Sequence, residues 1–269
     1  MSTPDKPLAL VTNDDGIRSH FLIALVDALS ENFEVVTCAP AGERSWIGHA
    51  ITRHEVLVPK KEKKFPGSVA YSLNGTPADC VNLACGNLLE RAPDVVVSGI
   101  NLGYNITLPM VLSSGTVGGA LEGSLLGHPA ISTSFALPNE EFDAIRESGG
   151  KVKGELAQSL EKAASASAEY TALVVDLPKP KSLVVHNLNF PENYQGDHPP
   201  MLTFANSLCL NSLFVKTEDK KGYQLTYRSE WLDQAKIEIG SDLWALRENM
   251  ASVSRLDFTE MSGKRYLDP

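Results

Sequence analysis

Apolar residues fall in short unbroken runs separated by amphipathic stretches. "LALVT" (8–12), "FEVVTCAP" (33–40), "PDVVVSG" (93–99) and "PAISTSF" (129–135) have the length and continuity of strands buried on both faces. Between the first two, Leu22, Leu25, Val26 and Leu29 recur at i, i+3, i+4 and i+7, which places them on one face of a helix. "TPADCVNLACGNLL" (76–89) predicts a second helix, with Thr76 as N-cap and Pro77 at the first helical position. "SSGTVGGALEGSLLG" (113–127) predicts a third with a glycine-rich start, and the stretches near 50–58 and 69–73 read as extended. Strands alternating with helices predict an α/β fold with a mostly parallel sheet and helices on both faces.

Polar spacers become frequent after residue 136. A helix is expected over about 140–168 with a break at Gly149–Gly150. Strands are expected at 172–178 ("ALVVDLP") and 182–191 ("SLVVHNLNFP"), separated by "LPKPK". Residues 207–230 read as an antiparallel hairpin turning near "DKKG", either a plain surface hairpin or an oligomer contact. The chain therefore divides into a core over 1–136 and C-terminal elements over 137–269.

The net charge of -9 over 269 residues disfavours a broad nucleic-acid footprint. The one dense basic run, "KKEKKF" (60–65), reads as a solvated loop. The start "MSTPDKPLAL" has no basic segment followed by an apolar one, so no secretory signal is expected, and no apolar run approaches the ~20 residues that span a bilayer. Cys38, Cys80, Cys85 and Cys209 stand in apolar surroundings without metal-type pairing and are expected as buried thiols. The expected compartment is the cytoplasm.

Open parallel sheets bind ligands beyond the carboxyl ends of their strands. Asn13, Asp14, Asp15 and Gly16 follow the first strand, Arg44 and Ser45 the second, and Asn101 and Asn105 the "DVVVSG" strand. Each alone is an ordinary turn residue. On one rim they supply two carboxylates, a hydroxyl and an amide oxygen, a hard donor set suited to Mg²⁺, Mn²⁺ or Ca²⁺ and not to zinc. Ser114, Gly115 and Thr116 open a helix whose free N–H groups favour an anion. The stretch is not a P-loop, because the lysine is absent, and "GINLGYN" lacks the dinucleotide spacing. His49, His128 and Glu122 read as surface or packing residues.

"VTNDDGI" (11–17), "PAGERS" (40–45), "NGTPADCVNLA" (74–84), "PDVVVSGINLG" (93–103) and "SSGTVGGALEG" (113–123), in this order, resemble the SurE (survival protein E) family of metal-dependent nucleotidases. "NLNFP" (187–191) and "GSDLWAL" (240–246) echo it later in the chain. The resemblance implies a Rossmann-like catalytic core and C-terminal elements exchanged between subunits of a dimer or tetramer. It implies one divalent cation per subunit, Mg²⁺ or Mn²⁺, and hydrolysis of nucleoside 5′-monophosphates, with 3′-monophosphates and short polyphosphate as further substrates. No nucleic-acid or membrane partner is implied. Asp14, Asp15, Ser45 and Asn101 match the metal ligands, and Asp14, Asp15 and Asn101 the catalytic positions. Asn105, Ser114, Gly115 and Thr116 fall where phosphate is expected, and Asn13 orients the carboxylates. Trp46 departs from the small residue usual after the ligand serine and is expected to wall the nucleoside. The 106–113 connection also departs. Three alternatives stand beside this reading. One is a nucleotide- or metal-binding module without catalysis. Another is a phosphatase forming an aspartyl-phosphate, although its D-x-D spacing is missing. The third is a metal-dependent glycosyltransferase, for which no nucleotide-sugar site is evident.

Overall fold

The computed structural model describes residues 6–259 except 68, 178–182, 220, 227–229 and 234, and the side chains of residues 230 and 231 are also outside the description. Six strands run parallel: β1 (Leu8–Thr12), β2 (Glu34–Pro40), β4 (Val69–Leu73), β5 (Val95–Leu102), β6 (Ala130–Phe135) and β7 (Val184–Phe190). The short β3 (Lys60–Lys61) pairs antiparallel with β4. At the other edge β11 (Ser252–Asp257) pairs antiparallel with β7 and parallel with β8 (Met201–Thr203). The nine-stranded order is β3-β4-β2-β1-β5-β6-β7-β11-β8. Winding runs outward in one direction from β1 through β2 and β4, and in the other from β5, so the order reverses between β1 and β5. The carboxyl ends of these two strands frame the crevice where such sheets bind ligands.

Both faces of the sheet are buried, which explains the unbroken apolar runs. Ala9, Val11, Val95 and Val97 face one core with α1 (His20–Leu29) and α6 (Gly154–Asp176). Leu10 and Val96 face the other, beside α2 (Pro77–Leu83). Helix α2 starts with a complete capping box: Asp79 N donates to Thr76 Oγ1 (3.1 Å) and Thr76 N to Asp79 Oδ2 (2.8 Å). Its expected continuation to residue 89 is a π-helical turn, Ala84–Leu88. The 106–113 connection contains a short helix, α3 (Leu108–Ser113), and leads into α4 (Gly115–Leu125). Among the described residues no helix is long and apolar enough to cross a membrane.

Several expectations are corrected. Residues 172–176 are the last turns of α6 and not a strand. Leu160, Ala163, Ala164, Ser167, Ala168, Thr171 and Val174 form one continuous buried helical face, and the tertiary contact of that face outweighs the strand preference of "LVV". The break at Gly149–Gly150, both with positive φ, separates α5 (Phe142–Glu147) from α6. No strand forms at 50–58, and Lys60–Lys61 become an exposed edge strand where a loop was expected, lysine being an edge residue that resists further pairing. Cys38 and Cys80 are buried, whereas Cys85 is half-buried and Cys209 exposed. The hairpin is present as β9 (Phe214–Lys216) and β10 (Tyr223–Leu225), antiparallel. Two further short helices are α7 (Glu230–Asp233) and α8 (Asp242–Arg247). Residues 178–181 of "LPKPK" and the segment 260–269 lie outside the described residues.

Helix α4 lies directly on the sheet because its facing positions are glycine. A methyl group at Gly123 would sit 2.6 Å from Val96 Cβ. Alanine gains about 1 kcal/mol in helix propensity, but overpacking of this kind costs about 1–3 kcal/mol. Gly123→Ala is therefore expected to lower the urea midpoint of unfolding; an unchanged or higher midpoint would show that α4 can shift outward freely.

Candidate active site

The loop after β1 carries Asn13, Asp14 and Asp15 to the crevice. Asn13 closes this loop on itself: its Nδ2 donates to Gly16 O (3.1 Å) and its Oδ1 accepts from Gly16 N (3.2 Å). Across the crevice the β5–β6 register shifts between Ser98 and Asn101, a bulge that re-aims the end of β5. Asn101 follows the shift and faces the same opening as Asp14.

Burial pushes the Asp14 carboxyl above the ordinary carboxylate range, against the pull of the Thr116 hydroxyl. Burial and then repulsion from Asp14 do the same to Asp15, and Glu43 adds repulsion to both. Thr116 Oγ1 donates to Asp14 Oδ1 at 2.5 Å. Leu102 N donates to Asp15 Oδ2 at 3.1 Å. The start of α4 approaches Asp14 closely enough that a side chain at Gly115 would meet Asp14 Cβ at 2.8 Å. Of the expected phosphate turn, Ser114 lines the cleft. Thr116 is fully buried and directed to Asp14, and Gly115 supplies clearance for that carboxylate.

Hydrogens at the site are committed so that oxygens remain open. Ser45 Oγ donates to Glu43 Oε1 (2.9 Å), which leaves the hydroxyl lone pairs available. Asn101 Nδ2 donates to Gly103 O (2.8 Å), which fixes the amide and leaves its carbonyl oxygen without a donor among the described residues. Ser114 Oγ accepts from Val117 N (3.1 Å), leaving its own hydrogen to give. Asn105 is held from three sides. Its N donates to Asn189 Oδ1 (2.7 Å), its O accepts from Asn187 Nδ2 (2.8 Å), and its Nδ2 donates to Ser134 Oγ (2.9 Å), with one amide hydrogen to spare. Among the described residues no three His, Cys, Asp or Glu side chains form a metal cluster. A cation here would draw on the two carboxylates plus neutral oxygens, and that hard-oxygen set fits Mg²⁺ or Mn²⁺.

These groups open onto a cleft of about 340 Å³, within the ~300–1,000 Å³ typical of small-molecule sites. Asp14, Ser45, Asn101, Asn105 and Ser114 are polar groups of its lining; Trp46, Tyr104, Met110, Leu137 and Phe142 supply aromatic and apolar surface. Trp46 lines the cleft from a left-handed backbone conformation, φ 58°. Asn13 and Asp15 lie beside the lining and not in it.

The model of the family described as "Survival protein SurE" matches residues 9–204. The chain belongs to the SurE family. Among its relatives, "5'-nucleotidase SurE" of Caldanaerobacter subterraneus subsp. tengcongensis is 31% identical over 94% of this chain and 92% of the relative. The protein of the same description from Methanosarcina barkeri is 32% identical over 97% and 98%. The solved structure "Crystal Structure of Sure Protein from Aquifex aeolicus" superposes with a TM-score of 0.73 at 28% identity, covering 97% of this chain and 98% of that one.

Within this SurE site the structure adds residues that sequence reasoning did not single out. Glu43 repels both aspartates and accepts a hydrogen bond from Ser45, and it stands inside the "PAGERS" stretch, two residues before Ser45. Phe142 and Asp143 reach the cleft from α5, in a stretch without any motif. Asn187 and Asn189, two apart on β7, sit inside the "NLNFP" echo. Asp242, inside "GSDLWAL", accepts from Thr107 N (2.8 Å) and Asn206 N (2.9 Å) and so holds the loop before α3. Thr116→Val keeps the shape of the residue but removes the hydroxyl that meets Asp14. Loss of that charge-assisted bond is expected to cost about 1–3 kcal/mol of stability by urea unfolding; a neutral change would mean that Asp14 is protonated or otherwise satisfied.

Proposed function

We propose that this chain is a divalent-metal-dependent phosphomonoesterase acting on nucleoside 5′-monophosphates, with 3′-monophosphates and short polyphosphate as further substrates. The observation that carries the reading is a cleft lined both by open oxygen donors and by aromatic and apolar side chains, in a chain of the SurE family. Asp14, Asp15, Ser45 and Asn101 would hold one cation, Mg²⁺ or Mn²⁺. When bound, such a cation neutralises phosphoryl oxygens and lowers the pKa of a water. Asn105 and Ser114 donate to the phosphoryl oxygens, where a lost donor commonly costs roughly 3–4 kcal/mol in the transition state. Asp14 or Asp15 would accept the proton of the attacking water. Trp46 and Tyr104 flank the nucleoside.

Self-association as a dimer or tetramer through the C-terminal elements belongs to the same reading. It is supported by the exposed Leu202 and Phe204 at and beside the edge strand β8, and by Phe214 and Tyr223 on the hairpin. The expected compartment is the cytoplasm.

Asp14→Asn removes one charge from the cation site while preserving volume. Nucleotide hydrolysis with Mn²⁺ is expected to fall by about two orders of magnitude or more, on the scale of losing a principal electrostatic contact. The rise in thermal midpoint that Mn²⁺ confers on the parent protein should vanish in the variant. Full activity in Asp14→Asn would end the proposal. Trp46→Gly is expected to raise KM for nucleotides and flatten the preference among bases; an unchanged preference profile would remove Trp46 from the substrate wall.

A further inference from the structure

The cleft contains one charged group that the phosphatase reading leaves without a task. Asp143, in the first turn of α5, lines the opening with its carboxylate largely exposed. A second anion in a cleft built for a dianionic phosphate ester is unfavourable unless it meets a different part of the substrate. A carboxylate is an acceptor only, so that part must be rich in hydrogen-bond donors and carry no negative charge.

Its position identifies the part. Phe142, the preceding residue, supplies part of the aromatic surface of the cleft and packs beside Gly103, where an added methyl group would lie 3.4 Å from the ring. Arg146, one helical turn on, lies 3.7 Å from Asp143 Oδ1 and 3.4 Å from Glu43 Oε2, and Glu43 Oε1 in turn accepts from Ser45 Oγ at 2.9 Å. Asp143 thus adjoins the aromatic Phe142 on one side and is linked through Arg146 and Glu43 to Ser45 on the other, and Arg146 balances its charge without consuming both oxygens. In a nucleotide the ribose connects the phosphate to the base, and its hydroxyls are neutral donors that carboxylates bind.

We infer that Asp143 is a specificity-determining residue that accepts hydrogen bonds from the ribose hydroxyls of the nucleotide. The inference rests on the nucleotidase reading and adds a selectivity that the reading does not require.

The test compares kcat/KM for a ribonucleoside 5′-monophosphate and its 2′-deoxy counterpart with Mn²⁺ present, using p-nitrophenyl phosphate as a sugar-free substrate. The parent protein is expected to prefer the ribonucleotide roughly tenfold, the worth of one exposed charge-assisted hydrogen bond. In Asp143→Ala the ratio should fall below about twofold, and Asp143→Asn, which retains an acceptor oxygen, should keep an intermediate ratio. Equal use of the two nucleotides by the parent protein, or the parental ratio in Asp143→Ala, overturns the inference and leaves the nucleotidase reading intact. Hydrolysis of p-nitrophenyl phosphate with no hydrolysis of any nucleotide overturns the nucleotidase reading and this inference with it.

Discussion

Two adjacent carboxylates at the dry end of a strand repel one another and lose hydration together, so a fold that keeps Asp14 and Asp15 there must compensate them. The compensation is assembled from distant parts of the chain. Helix α4 brings its N-terminus and the Thr116 hydroxyl to Asp14, and the end of β5 brings the Leu102 N–H to Asp15. Neither contact removes the strain, since burial still holds both groups above the ordinary carboxylate range, with repulsion from Asp14 adding to the shift of Asp15 and from Glu43 to both. Oxygens of Ser45 and Asn101 also line the same cleft, and the proposed cation would offset the remaining charge. Glycine at position 115 follows from the same requirement, because a side chain there would collide with Asp14.

The geometry of the cleft depends on the second half of the chain as much as on the first. Asn187 and Asn189 of β7 clamp the backbone of Asn105. Asp242, at the start of α8, gathers the N–H groups of Thr107, Asn206 and Leu243, and burial pushes its carboxyl up in spite of those donors. Thr107 has φ 63°, an unfavourable conformation for a β-branched residue, which the surrounding contacts must hold in place. The 106–113 connection is thus a short helix braced from the C-terminal side.

The loop that carries Ser45 and Trp46 is fastened in a different way. His49 Nε2 lies 2.6 Å from Glu122 Oε2, and Asn82 Nδ2 donates to Glu122 Oε1 at 2.7 Å. Gly48 N donates to Ser113 O and Arg44 N to Asp14 O. A buried carboxylate such as Glu122 is costly alone, and two hydrogen-bonding partners make it tolerable while tying the loop to α4 and α2. Packing roles for His49 and Glu122, expected from the sequence, therefore bear on the site indirectly through the loop that carries Ser45.

Short-range chemistry is what the sequence by itself determined. Continuous apolar runs marked the strands, the Thr76–Asp79 box marked a helix start, and strand-terminal polar residues marked the rim where Asp14, Ser45, Asn101 and Asn105 meet. Each of these depends on neighbours a few residues away. Tertiary structure decided the rest. Residues 172–176 are helical because Val174 continues the buried face of α6 into the core, although "LVV" alone favours a strand. Thr116 serves Asp14 across 102 residues of chain, and Asp143 reaches the cleft by folding alone. The destination of a single hydroxyl hydrogen depends on ångström distances between elements far apart in the chain, and local sequence patterns carry no record of those distances.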